Sequence, residues 1–313
     1  MADVTLASLD PAKFRDAERT ARGEPRAKVA LAALHTIWFN TGTLCNIACQ
    51  GCYIESSPRN DRLVYLQLAE VEDFLDQAVG QGARLAGFTG GEPFMNPDLL
   101  GMLGAALARG LDCLVLTNAM RPMQRFKAAL APLAASHGGQ LTFRVSLDHY
   151  SPRLHELLRG PRSWAPALAG LRWLAASGLR VAVAGRLAWR EGEAQLRAGY
   201  GRLFHDLGLP LDACDPVQLV LFPEMDAGRD VPEITEACWG ILNKSPDSVM
   251  CASSRMVVRR KGADRASVLP CTLLPYDPAF ELGASLTAAA RQVPLNHPHC
   301  ARFCVLGGAS CSA

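Results

Sequence analysis

The chain has 313 residues, and its 32 lysines and arginines stand against 30 aspartates and glutamates, a formal net charge of +2. That balance excludes the broad basic field that draws a protein onto nucleic acid or an anionic membrane surface. Hydrophobic residues at 49% and charged residues at 20% likewise exclude a disordered chain and leave room for one large core with a small appendage.

Residues 1–33 read as a partly helical N-terminal extension with few apolar anchors. Asp10, Asp16, Glu18 and Glu24 interrupt any apolar stretch that a secretory signal would need. No peptide-recognition domain is apparent there, which speaks against a leader-peptide maturase. From His35 onward, short apolar runs alternate with longer amphipathic segments, the pattern of βα units around a parallel sheet. Strands are predicted near 35–40, 83–89, 111–117, 140–147, 180–186 and 216–222. Helices are predicted near 66–80, 97–109, 121–135, 163–177 and 192–206, with apolar residues at helical spacing, as in Val71, Phe74, Leu75 and Ala78.

Six such units without a clear seventh or eighth predict an α/β fold, a partial (β/α)6 TIM-type barrel over residues 34–224. The loops at the carboxyl ends of its strands would carry the chemistry. Beyond Glu224 the rhythm breaks into Pro- and Gly-rich sequence with dispersed cysteines, and residues 225–313 are expected to form a small C-terminal cysteine-rich domain. Within it, the run Arg255, Arg259, Arg260, Lys261 reads as a solvated hairpin face. Apolar runs such as Leu219 to Phe222 fall far short of the roughly 20 residues a membrane span needs, so the cytoplasm is the expected location and no membrane partner is expected.

Eleven cysteines are many for a reducing compartment, where clustered thiols are more often metal ligands than disulfides. Three fall on the loop after the first strand, as Cys45, Cys49 and Cys52. A cubane [4Fe–4S] cluster has four irons, and three thiolates leave one iron open to an external chelator, for which the amino and carboxylate groups of a methionine are suited. Zinc would want a fourth protein ligand, and the next cysteine, Cys113, is far downstream. A buried helical stripe is a further alternative, weakened by Gly42, Gly51, Asn46 and Gln50.

Thr89-Gly90-Gly91-Glu92-Pro93 follows the second strand. Its glycine pair permits close backbone approach and positive φ, and Glu92 offers a carboxylate to an ammonium group. Asn118 and Ser146 end the third and fourth strands with compact polar groups of the kind ribose hydroxyls bind. Asp148 is expected to face the same pocket from a turn. Arg186 ends the fifth strand, where a guanidinium can take a carboxylate in a bidentate contact, and Arg144 shares the face of Ser146.

The spacing CxxxCxxC after a first barrel strand, followed one strand later by GGEP, resembles the signature of the radical S-adenosylmethionine (SAM) superfamily. Members usually carry an aromatic residue just before the last cysteine. Here that position is Gly51 and Tyr53 follows instead. The resemblance implies that Cys45, Cys49 and Cys52 hold a SAM-binding [4Fe–4S] cluster, and that Tyr53, Gly90, Gly91, Glu92, Asn118, Ser146 and Arg186 bind the cofactor. It further implies reductive cleavage of SAM to a 5′-deoxyadenosyl radical that abstracts a hydrogen from a peptide or small-molecule substrate. An external one-electron donor of flavodoxin or ferredoxin type would supply the reducing electron.

In the C-terminal part, Cys251 and Cys271 flank a predicted hairpin that turns through Lys261-Gly262 into a strand near Ser267 to Leu269, which brings the two thiols together. Cys300 and Cys304 are expected to complete a four-thiolate site, with Cys311 able to replace one of that pair. The layout resembles the auxiliary-cluster domains called twitch or SPASM, and with five cysteines it implies one auxiliary [4Fe–4S] cluster. Structural zinc suits the same ligands. Readings from other classes are an iron–sulfur electron-transfer protein and a zinc-stabilised binding module, neither of which cleaves SAM.

Overall fold

The computed structural model describes residues 8–224 and 226–308. Cys311, one of the predicted C-terminal ligands, lies outside the described residues.

The strands in chain order are β1 (Lys28–Val29), β2 (Thr36–Asn40), β3 (Leu85–Thr89), β4 (Asp112–Thr117), β5 (Leu141–Ser146), β6 (Arg180–Arg186), β7 (Leu219–Phe222), β8 (Ser254–Val258), β9 (Ser267–Leu269) and β10 (Val293–Pro294). The helices are α1 (Leu68–Gly80), α2 (Leu99–Ala108), α3 (Arg121–Gln124), α4 (Lys127–His137), α5 (Pro152–Arg159), α6 (Trp164–Ala176), α7 (Glu193–Asp206) and α8 (Cys238–Ile241). One eight-stranded sheet runs in the order β7-β6-β5-β4-β3-β2-β8-β9. From β2 to β7 every neighbouring pair is parallel, so each connection crosses over through helix on one face, and the sheet stays open. All six predicted barrel strands form, because runs such as Thr36–Asn40 are buried on both faces and favour a strand covered by helices and filled by side chains within.

The predicted helix over 121–135 is two helices. Gln124 Nε2 donates to the carbonyls of Ala119 and Pro166, pinning α3 to the start of α6, and the Phe126 ring packs on Phe94 between α3 and α4. Helix α5 has no counterpart among the predicted elements. Leu154, Leu157 and Leu158 give it helical periodicity, but its eight residues span too few turns for that pattern to stand out in the sequence.

The C-terminal hairpin forms as expected, with Met256 opposite Leu269. It extends the barrel sheet, because β8 pairs in parallel with β2. This corrects the reading of Arg255 to Lys261 as a solvated face. Arg255 points into the interior at 0% exposure, Arg259 pairs with Glu70 and Arg260 with Glu281, and only Lys261 stands well out in solvent, beside Asp61.

The described part of the N-terminal extension holds no helix. It wraps the C-terminal region as a strap: β1 pairs antiparallel with β10, and buried Arg26 meets Glu233 at 2.5 Å. Among the described residues no helix is long and apolar enough to cross a membrane.

Candidate active site

The carboxyl ends of β2 to β6 open onto a cavity of about 190 Å³. The loop after β2 lies across it and is held by main-chain bonds to three segments. Cys45 N donates to Ser57 O at 3.1 Å, Gln50 N to Leu158 O of α5 at 2.7 Å, and Gly91 N reaches back to Gly42 O at 2.8 Å. Cys45, Cys49 and Cys52 all line the cavity from this loop, and Tyr53 follows them. Burial pushes the Cys45 thiol up to about 12 and raises that of Cys49, so both are protonated until a metal displaces the proton.

Gly90 and Gly91 line the cavity directly after β3, and their lack of side chains is a steric requirement. A Cβ on Gly91 would stand 2.1 Å from Leu44 O, and one on Gly90 would stand 2.4 Å from Gly42 O, with φ at +135° besides. The two loops therefore nest backbone against backbone. Glu92 does not reach the cavity wall. Its carboxylate, 2% exposed, accepts from Thr117 Oγ1 at 2.8 Å, Asn118 N at 2.9 Å and Phe94 N at 3.3 Å. Burial outweighs these three donors and raises its pKa to about 7. The side chain ties the end of β4 to the turn after β3, and the neighbouring glycine backbone faces the cavity.

Asn118 and Ser146 line the wall. Asn118 Nδ2 donates to Asn46 Oδ1 at 2.9 Å and lies 3.9 Å from Cys45 Sγ, so it braces the cysteine loop. Asp148 and Arg144 also face the cavity. Arg186 reaches over the loop. Its guanidinium donates to Gln50 O and pairs with Glu224, each at 3.3 Å, and a Cβ on Gly51 would come within 3.2 Å of it. Gly51 thus gives its side-chain space to Arg186.

Arg159 escaped the sequence reading. It projects from the last turn of α5 into the cavity wall and forms a two-pronged pair with Asp148, at 2.8 and 3.2 Å. Asp148 is its principal anion, and Cys49 and Cys45 would add to that attraction once ionised. The signal that could have found it is the stretch His155-Glu-Leu-Leu-Arg159-Gly160, where a cation ends a short helix directly after the Ser146-Leu-Asp148 strand end.

A second hollow, about 20 Å³, is lined by Cys251, Cys271, Cys300 and Cys304 with His299 and apolar side chains. Cys251 enters β8, Cys271 leaves β9, and the other two lie on the π-helical turn Cys300–Leu306, a geometry that recurs at functional sites. Burial pushes the Cys251 thiol up to about 11 and that of Cys300 up to about 12. Four thiolates around one tetrahedral zinc would stand about 3.8 Å apart. Among the described residues no three His, Cys, Asp or Glu are set for a single ion. The two cavities share the wall residue Leu273, and Phe303, between Cys300 and Cys304, lines the larger one while stacking on Phe222.

The donor set suits the group that the motif implies: three thiols, a glycine cradle that admits no side chain, and guanidinium groups around one cavity. Residues 39–190 match the family model described as the Radical SAM superfamily, and they form a radical SAM domain. That family works with a [4Fe–4S] cluster and SAM. Over 152 residues the chain is 27% identical to mycofactocin maturase MftC of Mycobacterium ulcerans, a match covering 49% of this chain and 39% of the relative. It is 26% identical over 141 residues to the antilisterial bacteriocin subtilosin biosynthesis protein AlbA of Bacillus subtilis, covering 45% of this chain and 30% of that one. These matches span well under half the length of either relative. The fold is similar to that of Streptococcus suis SuiB bound to S-adenosylmethionine, with a TM-score of 0.60 at 14% identity, covering 81% of this chain and 64% of the other.

Proposed function

We propose that the chain is a radical SAM enzyme that oxidises or otherwise modifies a peptide substrate. The observation that carries this reading is the opening of Cys45, Cys49 and Cys52 onto the same cavity as Gly90, Gly91, Asn118, Ser146 and Arg186. Bound there, SAM and its cluster supply a 5′-deoxyadenosyl radical on one-electron reduction. The chain's own part is to ligate, orient and shield. Cys45, Cys49 and Cys52 are the cluster ligands. The backbone of Gly90 and Gly91 borders the methionine part, with Glu92 holding that backbone in place from behind. Asn118 and Ser146 take the ribose hydroxyls, and Tyr53 borders the cofactor from the cysteine loop. Arg159, which attracts Cys45 and Cys49 once they are ionised, and Arg186 supply cations for the carboxylate. Phe222, Leu273 and Phe303 line the same cavity with apolar surface that keeps water from the reacting atoms.

Residues 225–313 serve, in this reading, as a twitch-like domain whose Cys251, Cys271, Cys300 and Cys304 hold an auxiliary [4Fe–4S] cluster. Thiols spread around a hollow suit a cluster better than a single zinc ion, and Leu273, common to both linings, supports a role for that cluster in accepting an electron from the substrate cavity. The names of the maturase relatives favour a peptide over a small molecule. A flavodoxin- or ferredoxin-type donor in the cytoplasm supplies the reducing electron. Anaerobic reconstitution tests the whole reading. It should give about eight irons per chain, from two four-iron clusters, and 5′-deoxyadenosine when SAM and dithionite are added. Zinc in place of iron, or intact SAM under dithionite, would contradict it.

A further inference from the structure

The second thiol site has a neighbour that the proposed chemistry leaves unused. Arg255, the second residue of β8, is 0% exposed. Its guanidinium donates to four carbonyl oxygens: Ala289 at 2.9 Å, Cys251 at 2.6 Å, Ser254 at 2.7 Å and Arg291 at 3.4 Å. Carbonyls take four of its five N–H donors and leave its charge unbalanced. Among the described residues no carboxylate forms an ion pair with it. The buried Arg26 by contrast meets Glu233 at 2.5 Å, and Arg159 meets Asp148 at 2.8 Å. A buried guanidinium without an anion is costly to desolvate, and a guanidinium does not lose its proton to escape that cost.

The anion that could balance it is already at hand. Arg255 holds the carbonyl of Cys251 at 2.6 Å, and Cys251 and Cys271 are the groups whose charge reaches it once they are ionised. As thiols they are neutral. As thiolates on a [4Fe–4S]²⁺ core they carry net negative charge, and that charge grows by one when the cluster is reduced. A fixed cation in a low-dielectric interior stabilises the more negative form more strongly.

We propose that Arg255 is the counter-charge of the C-terminal thiolate site and raises the reduction potential of the cluster held there, making it a better electron acceptor. This rests on the reading of Cys251, Cys271, Cys300 and Cys304 as cluster ligands. Arg255 touches neither substrate nor SAM. It is a positioning residue that acts through the cluster.

The test is a potentiometric titration with dithionite, followed by electron paramagnetic resonance, in a protein carrying Cys45→Ala, Cys49→Ala and Cys52→Ala so that only the C-terminal cluster responds. Arg255→Gln keeps donors for the carbonyls and removes the charge, and it should lower the midpoint potential by more than the reproducibility of the titration. Arg255→Lys keeps the charge and should stay near the parent potential. Loss of the cluster from Arg255→Gln with retention in Arg255→Lys would likewise show that the charge is required. Equal potentials in all three loaded proteins, or a cluster kept by Gln and lost by Lys, would overturn the role of Arg255. No cluster signal in the parent triple variant would overturn the ligand reading itself, and the proposal with it.

Discussion

At the scale of single residues, the wall of the larger cavity depends on charges that are individually buried and mutually dependent. Asp148 is 4% exposed and has Arg159 as its cation. Arg159→Met should therefore destabilise the cluster-free protein by about 3 kcal/mol, because a buried carboxylate is left unpaired. Adding Asp148→Leu should recover most of that loss, and urea unfolding of the single and double variants checks both statements. Glu92 responds to pH instead. Its folded pKa of about 7 lies above the ordinary 4.5, so between these values the folded chain holds a proton that the unfolded chain has released. Stability from this group is thus full below pH 4.5, falls as pH rises through the window, and is lost above pH 7, a change on the order of 3 kcal/mol. Glu92→Gln should flatten that part of the profile, as measured by urea unfolding at pH 5 and pH 8. Glu92 was legible in the sequence as part of the motif, but its direction was not. Nothing in the stretch Gly90-Gly91-Glu92-Pro93 says that the carboxylate turns toward Thr117 and Asn118. The signal for Arg159 was weak, because a lone cation in the last turn of a short helix has a sufficient local explanation in the helix dipole.

At the scale of elements, the decisive contact is loop on loop. The turn after β3 fits under the cysteine loop only because Gly91 has no side chain, its Cβ position lying 2.1 Å from Leu44 O. Gly91→Ala should displace the cysteine loop, lower stability by about 1–3 kcal/mol, and cut both iron retention and 5′-deoxyadenosine formation at least tenfold. Iron analysis together with product chromatography checks it. The barrel strands were legible because their runs are apolar on both faces and bounded by turns. The β8–β9 hairpin was legible from the Lys261-Gly262 turn. Its place beside β2 was not, since a pairing between Thr36 and Ser254 leaves no local trace in either segment. For the same reason Arg255 looked like part of a solvated basic run. Its neighbours Arg260 and Lys261 lie at the hairpin's outer end, whereas Arg255 lies at the end that enters the core.

At the scale of the whole molecule, the chain joins two thiol sites through one sheet and one shared wall. Residues 34–224 position Cys45, Cys49 and Cys52. The later segment adds β8 and β9 to the same sheet and gathers Cys251, Cys271, Cys300 and Cys304 from three stretches of chain. The strap from Arg26 to Val29 is fastened to β10, beside Leu295 in the wall of the second site. Composition and cysteine spacing pointed to both groups of thiols, whereas the sharing of Leu273 between the two hollows required the fold. In the proposed function, SAM cleavage depends on the cluster that the three-cysteine loop holds. The measurement that tests it most directly is the yield of 5′-deoxyadenosine after anaerobic reconstitution and reduction with dithionite, in the parent chain and in the Cys45→Ala, Cys49→Ala, Cys52→Ala variant. The parent should form the nucleoside and the variant none, while the variant keeps its C-terminal cluster signal. Equal yields from the two proteins would contradict the account.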